Sequence, residues 1–133
     1  MITKSNVSTE TIKSILDAAF LTCEIDGDGD ILIDQNFYTY ITFNPVYVSI
    51  VSLVSVNLEA TFEALLGAAN ATNLEYLVPK VSILSREDSM TVRFQTVIPI
   101  GDGISPRTVV DSLRRSESAI RSVIDDNFKD LIN

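Results

Sequence analysis

The order in which the hydrophobic period of this chain switches leaves few folds open. One helical spacing is followed by four strand-like runs, a second helical stretch, two further strands and a long closing helix, which together occupy all 133 residues with no linker or repeat. Strands gathered in blocks and separated by single helices predict one α+β domain over residues 1–133, an antiparallel sheet with helices packed on one side.

Thr9 to Leu21 repeats Ile12, Ile15, Leu16, Ala19 and Phe20 at the three-and-four spacing of a helix face, with Ser8 as N-cap and Glu10 in the first turn. Leu21 to Ile25 and Asp30 to Asp34 then read as a hairpin closed by Asp26-Gly27-Asp28-Gly29. Phe37 to Phe43 alternates, with Tyr38 and Tyr40 on one side and Phe37 and Phe43 on the other, and Asn44-Pro45 turns the chain. Asn57 is expected to cap the second helix, with Leu58, Phe62, Leu65, Leu66 and Ala69 as its buried stripe and an end between Gly67 and Asn73. Lys80 to Leu84 and Met90 to Pro99 flank a turn at Arg86-Glu87-Asp88, and Ser105-Pro106 opens the last helix with a hydroxyl cap followed by proline. Val109, Leu113, Ile120, Ile124 and Phe128 carry the apolar stripe of that helix.

The run from Val46 to Val56 breaks the alternation. Val48, Ile50 and Val54 share one face, while Tyr47, Val51 and Leu53 share the other. A strand apolar on both faces is central and covered twice. With only three helices available, the second cover is expected to be another copy of the chain.

A hydrophobic fraction of 46% excludes disorder and exceeds what a small monomer needs to hide. Cys23 stands alone, so no intrachain disulfide forms, and the polar start MITKSNVSTE lacks the apolar region of a secretory leader. Both features point to a cytoplasmic protein. The apolar run of strand four falls short of the roughly 20 residues a membrane helix needs. The formal net charge is −8, and its distribution is uneven: residues 1–79 hold two basic side chains against ten acidic ones, whereas residues 80–133 balance. An acidic field repels nucleic acid and anionic membrane and favours basic protein segments as partners.

Candidate chemistry is sparse. Asp26-Gly27-Asp28-Gly29-Asp30 has the opening of an EF-hand calcium loop, but the sixth and twelfth positions, which need glycine and glutamate, are Ile31 and Phe37. An acidic hairpin turn is the better reading, with a calcium-responsive module as an alternative. Gly101-Asp102-Gly103 lacks the third glycine and the lysine of a phosphate-binding loop. Without histidine there is no Ser-His or Cys-His pair. Cys23, among apolar neighbours, reads as a structural thiol. Arg107, Arg114 and Arg121 repeat along the last helix but are interleaved with acids, as on a solvated face. No catalytic, metal-binding or cofactor-binding residue is predicted, and the chain is not expected to be an enzyme.

The segments LLGAAN (65–70), VPKVSIL (78–84), SMTVRFQTVIPI (89–100) and GDGISPRTVVDSLRRSESAIRSVIDD (101–126), in this order of elements, resemble the YbjN-like family, which shares the type III secretion chaperone-like fold. The resemblance implies an α+β domain, commonly a homodimer without a cofactor, regulator- or chaperone-like in function and without a defined reaction. It transfers no catalytic residue. Asn70, its one matched polar position, is read as a cap at the end of the middle helix. The expectation is therefore a non-catalytic domain that binds itself and a protein or peptide segment through Tyr47, Val48, Ile50, Val51, Leu53, Tyr38 and Tyr40, with a true type III secretion chaperone as the alternative.

Overall fold

The computed structural model describes all residues 1–133. Strands β1 (Cys23–Ile25), β2 (Ile31–Ile33), β3 (Tyr38–Phe43), β4 (Tyr47–Ser55), β5 (Lys80–Arg86) and β6 (Ser89–Pro99) form one antiparallel sheet in the order β1-β2-β3-β4-β6-β5. The first four strands meander through short turns. The chain then leaves through helix α2 (Phe62–Glu75), lays β5 on the outer edge and returns β6 between β5 and β4. Helices α1 (Thr9–Ala18) and α3 (Pro106–Val123) complete the molecule.

The helix ends are chemically explicit. Ser8 Oγ accepts the Thr11 amide at 3.1 Å, and Ser105 Oγ accepts that of Thr108 at 3.1 Å ahead of Pro106 in the first turn of α3. At the end of α1, the amides of Phe20 and Leu21 return to the carbonyls of Asp17 and Leu16, both at 3.0 Å. This closure puts the residue after the cap in the left-handed region, and that residue is Phe20 at φ 61°, with its ring 95% exposed. The last helix ends in one π-turn, Ile124–Phe128, which swings Phe128 inward against Phe94 with the rings edge to face at 6.2 Å.

The second helix departs from the sequence expectation. Its cap is Thr61, whose Oγ1 accepts the Ala64 amide at 3.1 Å. Asn57 is held elsewhere: its amide donates to the Leu131 carbonyl at 2.8 Å, beside the bridge between Val56 and Ile132, so the chain leaves the sheet too late to start a helix there. Leu58 is consequently 99% exposed, and the buried stripe is Leu65, Ala69 and Thr72. The helix runs on to Glu75, which places Asn70 exposed in its middle and not at a cap.

All three helices lie against the same face of the sheet. Ile12 and Leu16 of α1 and Val109 and Leu113 of α3 pack with Ile31, Ile41, Val48, Ile50 and Ile98. Leu65 and Ala69 of α2, Ile120 and Val123 of α3, and Phe128 pack with Val54, Val81, Val92 and Phe94. Between these two clusters runs a buried polar band, where the hydroxyls of Thr39 and Ser52 lie 2.7 Å apart and Thr96 Oγ1 donates to Ser116 Oγ at 3.4 Å. Every buried side-chain polar atom has a partner.

Phe20 combines a strained backbone with a ring that contacts little. Replacing it with glycine, Phe20→Gly, is expected to stabilise the fold by about 1 kcal/mol, the scale of a left-handed residue's backbone penalty. Equilibrium urea unfolding measures it, and an unchanged or lower midpoint contradicts the strain.

Candidate functional site

The uncovered face of the sheet is the one extended surface that no helix of the chain reaches. Because side chains alternate along a strand, the residues left on it follow from the pairing register. Glu24, Leu32, Tyr40, Val51, Gln95 and Lys80 form one row across all six strands. Tyr38, Leu53, Arg93 and Ser82 form the row beside it. The rings of Tyr38 and Tyr40 meet edge to face at 6.2 Å, and Tyr38 is 56% exposed.

A polar relay stiffens the centre of this face. Arg93 Nη1 donates to Gln95 Oε1 at 3.0 Å, and Gln95 Nε2 donates to Ser49 Oγ at 2.8 Å. Ser49 and Val51 are buried although no helix covers them, because the longer side chains around them close over the strand. The result is an open face on which Leu32, Tyr38, Tyr40 and Leu53 surround a buried centre.

Of the residues expected at an interface, Tyr38, Tyr40, Tyr47, Val51 and Leu53 stand on this open face, and Val48 and Ile50 do not. Both are buried in the cluster under α1 and α3. Strand β4 is apolar on both sides, and the opposite parity is the one the helices cover. The surface charge also differs from the expectation of an acidic, cation-seeking site. The only acid on the open face of a strand is Glu24, at the far edge, whereas Lys80, Arg86 and Arg93 stand on the β5–β6 half. The remaining acids of the first half sit on α1, on α2 and in turns.

The other candidate groups do not build a reactive centre. In the Asp26–Asp30 turn, Asp26 Oδ1 accepts the amides of Asp28 at 2.9 Å and Asp30 at 3.0 Å, so its carboxylate closes the turn itself. No three acidic, cysteine or histidine side chains converge closely enough to hold a metal ion. The Asp30 carboxyl lies above its usual range through burial, with smaller contributions from Asp26 and Asp28. Cys23 borders a depression of about 600 Å³ at the open end of β1–β3, together with Glu24, Leu32, Asp34 and Tyr38. Its thiol titrates above the ordinary range, first because of burial and then because Asp17, with Oδ1 3.8 Å from Sγ, opposes a thiolate. Along α3, Arg107 pairs with Asp111 and Arg121 with Glu117, as expected of a solvated face.

Sequence reading missed two functional placements. Gln95 and Arg93 were legible only as polar positions of an alternating strand, and nothing local signals the Ser49 contact. Asn73 is the second: its side-chain amide donates to the Val81 carbonyl and accepts the Val81 amide, both at 2.9 Å, so it occupies the outer edge of β5 as a strand residue would.

Six antiparallel strands with three helices on one face define a two-layer α+β domain. The chain belongs to the YbjN family: the family described as "Putative bacterial sensory transduction regulator" matches residues 8–127. A crystal structure of YbjN from E. coli, described as "a putative transcription regulator", superposes with a TM-score of 0.81 at 15% identity, covering 96% of each chain. At that identity the superposition speaks to the fold alone. No curated protein matches this chain. No helix is long and apolar enough to cross a membrane.

Two expectations follow from these placements. Ile50→Ala should destabilise the fold by about 2–5 kcal/mol through the cavity left in the core, whereas Tyr38→Ala on the open face should change stability by about 0.5 kcal/mol or less; thermal melts separate them, and equal losses overturn the assignment of faces. Cys23, with its raised titration, should alkylate with iodoacetamide more slowly at pH 8 than an unperturbed thiol. Asp17→Asn should speed that reaction, and a rate independent of Asp17 contradicts the electrostatic cause.

Proposed function

We propose that the protein is a non-catalytic, regulator- or chaperone-type domain that acts by binding protein, and that it works as a homodimer joined across its open sheet face. The observation that carries this reading is the group Leu32, Tyr38, Tyr40 and Leu53, half-buried or exposed around the buried Val51 at the middle of a sheet face that no helix covers. Tyrosine suits such a surface, since its ring packs while its hydroxyl stays wet. Catalysis has little support: there is no histidine, and burial with Asp17 beside it raises the titration of the single thiol. A net charge of −8 disfavours nucleic acid.

The charges on the face support pairing with a second copy. The central row begins with Glu24 on β1 and ends with Lys80 on β5, and its midpoint falls between Tyr40 and Val51. A copy turned about a two-fold axis running along the strands at that midpoint sets Glu24 over the other chain's Lys80, and Tyr40 over its Val51. Such an isologous contact is self-complementary in charge. Tyr38, Tyr40 and Leu53 around its centre supply the apolar contact, and the two flanking ion pairs fix the register.

Sedimentation tests the reading. The wild-type chain should run as a dimer and Leu53→Glu as a folded monomer. Glu24→Lys or Lys80→Glu alone should weaken the dimer, and the double exchange should restore it. A wild-type monomer at the highest soluble concentration, or single exchanges without effect, contradicts the face-to-face dimer.

A further inference from the structure

We propose that the free edge of β5 accepts one further strand from another protein, an extended segment that is apolar on the side facing α2 and acidic on the side continuous with the open sheet. The proposal rests on the reading of the chain as a protein-binding domain, but it uses a different surface from the face assigned to the second copy.

The hydrogen-bond phase of the sheet identifies the free groups. Ile100 donates its amide to the Val46 carbonyl at 2.9 Å, which fixes the even-numbered residues of β6 as those bonded to β4. The odd-numbered residues of β6 therefore bond β5, where they meet Lys80, Ser82, Leu84 and Arg86. Val81, Ile83 and Ser85 consequently turn their N–H and C=O groups outward. At Val81 both groups are taken by the Asn73 side chain at 2.9 Å, as the phase requires. Those of Ile83 and Ser85 have no partner on that side. A short open edge thus runs from the Asn73 plug to the turn at Glu87.

An apolar shelf lies alongside this edge. Phe62, Leu66 and Asn73 fall on one stripe of α2, at spacings of four and seven residues. A short connection returns α2 antiparallel to β5, and Asn73 marks the level of Val81. With about 1.5 Å of rise per helical residue and about 3.3 Å per strand residue, Leu66 falls at the level of Leu84 and Phe62 at that of Arg86. Both side chains are about half exposed, in positions where the inward residues of an added strand would rest.

Charge selects the occupant. Lys80 and Arg86 are exposed, belong to no ion pair and bracket the edge on the open-sheet side; of the acids on neighbouring segments, Glu87 and Asp88 lie in the turn beyond the strand, Glu63 in the first turn of α2 and Glu75 in its last. A second copy offering the same edge about Ile83 would set Lys80 against Arg86 twice and meet an Asn73 plug at each end. Cations at an edge discourage self-pairing. They also recruit a strand of the opposite sign, whose main chain supplies affinity and whose alternating side chains supply selectivity.

The test uses two fluorescent peptides, one alternating aspartate or glutamate with valine and the other carrying lysine at each acidic position. Amide exchange is followed by NMR on the full chain. The acidic peptide should bind and slow exchange of the Ile83 and Ser85 amides, and the lysine peptide should not. Ser85→Pro removes one outward donor at an edge position that tolerates proline, and should weaken binding about tenfold or more; Arg86→Glu should weaken it without changing the fold. Protection on Tyr40 and Leu53 instead of Ile83 and Ser85 overturns the edge site while leaving the binding-domain reading intact. Failure of both peptides to bind, or equal binding of the two, also overturns it. A wild-type monomer, by contrast, refutes only the face-to-face dimer and leaves the protection pattern at β5 as expected.

Discussion

A six-stranded sheet has two faces, and three helices of 10, 14 and 18 residues are enough for one. Strand β4 sits third from one edge and fourth from the other, where both faces are most remote from solvent at the sheet margins. Its sequence answers that position with apolar residues on either side, so the helices satisfy Val48, Ile50 and Val54 and leave Tyr47, Val51 and Leu53 to their neighbours. This imbalance between sheet and helix area shapes the rest of the molecule. The open face can be tolerated because tyrosines and a polar relay through Arg93, Gln95 and Ser49 close over its centre. That closure shelters Val51.

The covered side has its own division. Two apolar clusters, one under α1 and the start of α3 and the other under α2 and the end of α3, are separated by the hydroxyls of Thr39, Ser52, Thr96 and Ser116. Such a band sacrifices hydrophobic burial at the middle of α3; Thr39 and Ser52 pair across β3 and β4, and the Thr96–Ser116 hydrogen bond ties the helix to β6. The π-turn after Val123 adjusts the far end of the same helix so that Phe128 reaches Phe94.

What could be read from the residues alone follows the range of the interactions. Ser8, Ser105 and Pro106 announce their helix starts because a cap is satisfied within three residues. The alternation in β3 and β6 fixes which side chains travel together. It does not fix which set faces the helices when both are apolar, and for that reason Val48 and Ile50 could not be told from Val51 and Leu53. Asn57 and Leu58 misled for a different reason: the chain end, through Leu131 and Ile132, holds the segment in the sheet, and no local pattern carries that information. Asn73 is likewise invisible in sequence, because its role exists only where α2 passes Val81.

The chain spends many of its polar groups on caps, turns and the sheet. Its charges are sorted accordingly. Acids lie on α1, in the turns and at the ends of α2, while the cations of β5 and β6 stand on the sheet face that the helices leave uncovered. A uniformly acidic surface would repel every copy of itself. Gathering Lys80, Arg86 and Arg93 on the β5–β6 side, with Glu24 at the far edge, gives the open face a charge gradient across its strands.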